Sequence, residues 1–215
     1  MPRKINLLIL GYNLIVFNLA VLFVVAAQAL QAFPAGFRGE LFMTGFKAEK
    51  IFFDMDGVLA DFTLGVRELC NFNPQPLNDK NYDEEQDNLM WTRIREIEHF
   101  YDKLKFMPGA EEMFHAVYDK YGSRCEILTG IPKEKRGVLH AGSDKISWMR
   151  RMLASDITVN IVYSEDKPQY CRGKGYILID DTQDNIAQWE AAGGTGIVHV
   201  SAPETMAWLK SLGVL

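Results

Sequence analysis

From Met43 onward, short apolar runs rich in β-branched and aromatic residues alternate with stretches whose apolar positions recur at helical spacing. The runs are IFF (51–53), CEIL (125–128), ITVNIVY (157–163), YILI (176–179) and GIVHV (196–200). Such alternation predicts an α/β fold, a parallel sheet joined by crossover helices. PGAEEMFHAVYDKYG starts at Pro108, puts Ala110, Met113, Phe114, Val117 and Tyr121 on one face and ends at Gly122, a pattern that predicts a helix with a glycine cap. Two more helices are expected over 143–154, opening at Ser143, and over 183–192, opening at Thr182 or Asp184. A last one, over 203–212, begins with Pro203 and Glu204.

Residues 60–107 break the alternation. A polar, turn-rich piece (NFNPQPLNDKNYDEE) precedes a helical pattern with Met90, Ile94, Ile97 and Tyr101 on one side. This segment is read as an insertion placed above the carboxyl end of the first strand, between core segments 43–59 and 108–215. Residues 1–42 are set apart, because no charged residue lies between Lys4 and Arg38. The apolar run there is long enough to cross a bilayer at about 20 residues per span. Three readings stand. Arg3, Lys4 and Ala27-Gln28-Ala29 fit a signal peptide. Residues 5–27 fit a membrane anchor with its basic end in the cytoplasm. Alternatively translation starts at Met43, behind a purine-rich stretch able to encode Arg38-Gly39-Glu40, which gives a compact cytoplasmic enzyme.

Charge narrows the partners. A net charge of −5 without any basic stripe argues against a nucleic-acid polymer. The three cysteines, Cys70, Cys125 and Cys171, are scattered and form no CxxC, so neither a disulfide framework nor a zinc site is expected.

The chemistry sits at strand ends. Asp54 and Asp56 follow the first run, Thr129 and Gly130 the second, and Asp180 and Asp181 the fourth. In open α/β sheets ligands bind beyond the carboxyl ends of the strands. Four carboxylates on one rim repel unless a cation sits among them, and an all-oxygen donor set favours Mg²⁺ over zinc. A lone DxD or Asp-Gly is ordinary turn chemistry, and Gly57 falls at the wrong place for an EF-hand loop. The three motifs in order carry the assignment.

With those motifs, and Lys167 placed 13 residues before Asp180, the chain resembles the haloacid dehalogenase (HAD) superfamily of phosphohydrolases over residues 51–200. The resemblance implies a Rossmann-like sheet of order 5-4-1-2-3, with 60–107 as a helical cap. It also implies an aspartyl-phosphate mechanism. Asp54 would be the nucleophile and a Mg²⁺ ligand. Asp56 would be the acid–base group, with its backbone carbonyl on the metal, and Asp181 the further carboxylate ligand. Thr129 and Lys167 would bind the phosphoryl oxygens, Asp180 would orient Lys167 or a metal-bound water, and Gly57 and Gly130 would let the backbone approach the phosphate.

DMDGVLADF (54–62), FYDKLKFMPGAEE (100–112) and ILIDDTQDNIAQWEAAGG (177–194) are similar to the 5'(3')-deoxyribonucleotidases and their bacterial and phage relatives. That likeness implies a nucleoside monophosphate substrate whose base stacks on cap aromatics, for which Phe62, Trp91, Phe100 and Tyr101 are the candidates, unless they pack a core of the cap itself. It places Lys145 near the substrate phosphate. Lys133, Lys135 and Arg136 follow the second motif, either as phosphate contacts or as a solvated basic loop. The chain departs from the family in having Gly130-Ile131-Pro132 where Ser-Pro-Ile is common. A phosphatase for sugar phosphates, and a non-catalytic metal-binding module, are the rival readings. A homodimer is common among such enzymes.

Overall fold

The computed structural model describes residues 46–75 and 83–215. Residues 1–42, with the apolar run at 5–27, and Met43 lie outside the described residues, as does part of the turn-rich piece. Among the described residues no helix is long and apolar enough to cross a membrane.

Five parallel strands form one sheet: β1 (Lys50–Phe53), β2 (Cys125–Gly130), β3 (Val159–Val162), β4 (Tyr176–Asp180) and β5 (Thr195–Val198). Their order is β3-β2-β1-β4-β5, the expected order read from the other edge, with β1 central and paired to both β2 and β4. β2 and β4 each run farther than their apolar runs, which carries Thr129, Gly130 and Asp180 into the ladder.

A strand buried on both faces reads as a continuous apolar run, which is why β1 and β4 do, while the edge strands β3 and β5 are only half-buried. Ile51, Phe53, Ile127, Ile177 and Ile179 face a large core that includes Met113, Phe114, Val117, Trp148, Met149 and Leu209. Phe52, Leu128 and Leu178 face the opposite side, against Ile186 and Trp189. Helices α3 (Ala110–Tyr121), α4 (Ala141–Met152) and α6 (Ala202–Ser211) cover the first face, and α5 (Gln183–Ala191) the second. Gly122 ends α3 at φ +53°, a conformation glycine adopts without a Cβ clash. α4 starts two residues before Ser143, whose hydroxyl instead donates to the carbonyl of His140 at 3.0 Å. All three cysteines are free and buried.

Among the described residues two α-helices lie between β1 and α3. α1 (Phe62–Cys70) was not anticipated; the side chain of Asp61 caps it, accepting the N–H of Leu64 at 2.8 Å. α2 (Glu84–Glu96) is capped by Asp83 and stops before Ile97, so Tyr101 falls in a following 3₁₀ turn rather than on the helix. His99 turns the chain there at φ +53°. Val66, Met90, Ile94, Phe100, Tyr101 and Leu104 from this segment join the main core. The aromatic side chains therefore pack against the sheet's own core, not a separate small one.

Candidate active site

The carboxyl ends of β1, β2 and β4 meet at one rim. Asp54 continues the β1 ladder, its N–H donating to the carbonyl of Ile179 at 2.9 Å. Beyond it the chain folds tightly, with the carbonyl of Met55 accepting the N–H groups of Leu59 and Ala60, each at 2.8 Å. Gly57 makes that turn at φ +75°, and a Cβ there would lie 2.2 Å from Asp181 Oδ2. Only glycine lets the β1 turn approach the end of β4 so closely.

Two buried lysines knit the rim together. Lys167, from the 3₁₀ helix Ser164–Tyr170, places Nζ 2.5 Å from Asp180 Oδ2 and 3.0 Å from Asp54 Oδ1. Lys145, fully buried in α4, donates to Asp56 Oδ2 at 2.7 Å, the carbonyl of Gly130 at 2.6 Å and Thr129 Oγ1 at 3.1 Å. Asp180 is saturated by protein donors, because Asn185 Nδ2 and the N–H of Thr182 take up what Lys167 leaves. Oxygens of Asp54, Asp180 and Asp181 lie within 4.8 Å of one another.

The charges do not balance. Four carboxylates face two ammonium groups, which leaves two negative charges over. Burial, then Asp54, Asp180 and Asp56, push the Asp181 carboxyl up to about 7, against the weaker pull of Lys167. Burial and Asp54 likewise raise Asp180, with Lys167 opposing. Burial raises Asp56 too, opposed by Lys145. For Lys167 burial acts downward, and Asp54 and Asp180 more than reverse it. Oδ1 of Asp54 and Oδ1 of Asp56 are buried without a hydrogen-bond partner; Lys167 is at ion-pair distance from the former but without hydrogen-bond geometry. Orphaned anionic oxygens, a raised carboxyl and an all-oxygen donor set fit a divalent cation. Asp54 and Asp181 have oxygens free for it. The carboxylate of Asp56 stands outside the trio, turned toward Lys145.

Residues 48–206 match the family model described as "5' nucleotidase, deoxy (Pyrimidine), cytosolic type C protein". The chain belongs to that family. It is a phosphomonoester hydrolase of the HAD superfamily. No curated protein matches it. Among solved structures, a HAD family hydrolase from Deinococcus radiodurans with bound phosphate and sodium is 16% identical, covering 78% of this chain and 97% of that one at a TM-score of 0.49. A hydrolase from Pseudomonas syringae is 14% identical, covering 76% and 90% at a TM-score of 0.44. CbbY from Rhodobacter sphaeroides, in complex with phosphate, is 13% identical, covering 69% and 84% at a TM-score of 0.43.

In this nucleotidase-family enzyme the rim opens into a cavity of about 320 Å³. Asp54, Asp56, Gly57 and Asp181 line its inner end, with Gly130 beside them. Phe62, Trp91 and Tyr101 line its wall, joined by Phe72 and Met90. Phe100, expected among them, is only 1% exposed and does not line the cavity; it sits behind, edge-on to Phe62 at 5.7 Å. Lys145, expected beside the substrate phosphate, also lies behind the wall and reaches the site through Asp56 and Thr129. Lys133 pairs with Glu165 at the surface. Asn185 and Ser164 line the cavity and were not singled out in the sequence, although Asn185 stands only five residues past Asp180, where the next helical turn brings it back. Among the described residues lining the cavity there is no Lys, Arg or His.

Proposed function

We propose that this enzyme is a Mg²⁺-dependent phosphatase of (deoxy)ribonucleoside 5'-monophosphates, working through an aspartyl-phosphate on Asp54, with residues 60–107 as the cap over the rim. The observation that carries the reading is the union of an orphaned carboxylate pair with an aromatic wall whose described lining residues include no Lys, Arg or His. A wall of Phe62, Trp91 and Tyr101 suits the flat, uncharged base of a nucleoside. A leaving group carrying a second anion, such as a bisphosphate or a phosphorylated acid, finds no cation to pair with among the described lining residues.

Mg²⁺ held by Asp54, Asp181 and the backbone carbonyl of Asp56 would supply the positive charge that lets one anion approach another. A carboxylate oxygen of Asp54 attacks phosphorus, and the bond from phosphorus to the ester oxygen breaks. Asp56 gives its proton to that leaving oxygen; burial pushes its carboxyl upward, the direction that suits an acid. Asp56 then takes a proton from the water that attacks the phosphoenzyme, which frees Asp54 and inorganic phosphate. Lys145 holds Asp56 and Thr129 in register. Lys167, fixed by Asp180, is placed to neutralise phosphoryl oxygens as charge spreads over them.

The test is phosphate release with and without Mg²⁺ across dNMPs, NMPs, sugar phosphates and phosphoglycolate, with Asp54→Asn as control. Mg²⁺-dependent release strongest on nucleotides, weak on phosphoglycolate and lost in the variant is the expected outcome. Strongest release from sugar phosphates overturns the substrate, and full activity in Asp54→Asn overturns the mechanism.

A further inference from the structure

At the outer end of the cavity several contacts converge on one guanidinium. Arg136 lies in the 3₁₀ turn Glu134–Arg136 after β2, on the core side. Its Nη2 is 2.5 Å from Asp87 Oδ2 and its Nη1 2.6 Å from Asn88 Oδ1, both on α2. Its Cζ sits 5.6 Å from the centre of the Trp91 ring. The second oxygen of Asp87 accepts the indole N–H of Trp91 at 3.2 Å. One carboxylate thus holds the edge of the indole while the cation it pairs with covers the face. The side chains of Arg136 and Asp87 are 20% and 12% exposed, so water and salt screen this pair weakly.

Trp91 is the first rung of a continuous ladder. It packs on Phe62 at 6.0 Å, Phe62 stacks on Tyr101 at 6.2 Å, and the ammonium of Lys145 lies 4.7 Å from the Tyr101 ring. The row of rings is therefore backed by the Arg136 guanidinium at one end and by the ammonium that holds Asp56 at the other. Arg136 does not line the cavity itself.

We propose that Arg136 is a positioning residue for substrate selectivity: it fixes Trp91 as a rigid plate against which the ring of the leaving group packs. The inference rests on the nucleotide reading of the same cavity. A plate ordered before the substrate arrives is not ordered at the expense of binding, so losing the clasp weakens ring-bearing substrates and spares others. The planar fork matters, because a lysine cannot bind Asp87 and Asn88 together while covering the indole.

Arg136→Gln and Arg136→Lys are compared with the wild type on dUMP and on ring-free 2-phosphoglycerol, together with the Trp91 indole N–H resonance, assigned through Trp91→Phe. Arg136→Gln raises KM for dUMP about tenfold, a loss of about 1.4 kcal/mol, with kcat within twofold. The 2-phosphoglycerol parameters stay unchanged, the Trp91 resonance shifts or broadens, and Arg136→Lys recovers only part of the loss. An equal fall on both substrates assigns Arg136 a merely structural role and overturns the proposal, as does an unmoved indole signal or retained dUMP preference. A wild type without preference for dUMP overturns the nucleotide reading, visible before any variant is made, and this proposal with it.

Discussion

Lys145→Met removes the only ammonium that touches Asp56 among the described residues. The wild-type side chain is fully buried and donates to three oxygens between 2.6 and 3.1 Å away. Removing one partner of a buried ion pair costs about 3–5 kcal/mol, chiefly because the other charge is left uncompensated. The Asp56 side chain is 30% exposed, so water recovers part of that, and the lower end, about 3 kcal/mol, is expected. For a chain of this size that is a fall in Tm of about 6–12 °C. The loss depends on pH. Burial already raises the Asp56 carboxyl, and without Lys145 it rises further. The folded variant then holds a proton that the unfolded chain releases near its ordinary carboxylate pKa. Its stability is fully present below that value and declines as pH rises through the raised one. The deficit against wild type is therefore larger at pH 7.5 than at pH 5.5. Turnover falls about hundredfold, the usual scale for a mispositioned acid–base group. Thermal melts followed by circular dichroism in chelator, at both pH values, with steady-state kinetics in Mg²⁺, read all three effects. A Tm within 2 °C of wild type at pH 7.5, or a deficit that grows toward pH 5.5, would refute the reasoning.

Gly57→Ala forces a Cβ to 2.2 Å from Asp181 Oδ2 and a side chain onto φ +75°. Backbone strain of about 1–2 kcal/mol leaves the protein folded, while the displaced carboxylate lowers metal affinity and kcat together; calorimetric titration with wild-type Mg²⁺ affinity would rule this out. With the Asp181 carboxyl near 7, cation binding must expel its proton at lower pH. Apparent affinity should fall about tenfold per unit below pH 7. Titrations in buffers of different ionisation enthalpy count the released proton, and none released would remove Asp181 from the ligand set.

The inner strands β1 and β4 were legible because they are buried on both faces, so that IFF and YILI carry no polar position to confuse a period. The carboxylate rim was legible because strand ends in an open sheet converge wherever the helices go. What escaped depends on contacts distant in sequence. α1 hides behind the DMDGVLADF motif, though Asp61 as cap with Phe62, Val66 and Cys70 at helical spacing was there to be read. Its Gly65 looks like a helix breaker, yet a Cβ there would meet Leu104 Cδ2 at 2.2 Å, so the missing side chain makes room for Leu104 just past the 3₁₀ turn. Nothing near Lys145 or Arg136 in sequence discloses that one is locked to Asp56, 89 residues earlier, and the other to Asp87, 49 residues earlier. Phe100 shares its composition and neighbourhood with Tyr101; only the turn at His99 decides which ring faces the cavity.

Gly130-Ile131-Pro132, where relatives commonly carry Ser-Pro-Ile, is where motif and structure bear on each other most directly. A Cβ at residue 130 would lie 2.6 Å from Ser164 Oγ. Ser164 lines the cavity, so its hydroxyl stands beside the place that a side chain at 130 would take. A side chain at 130 therefore requires the Ser164 hydroxyl to rotate away from its present position. The rim thus carries the Ser164 hydroxyl beside Gly130, at the point where the second motif itself has no side chain.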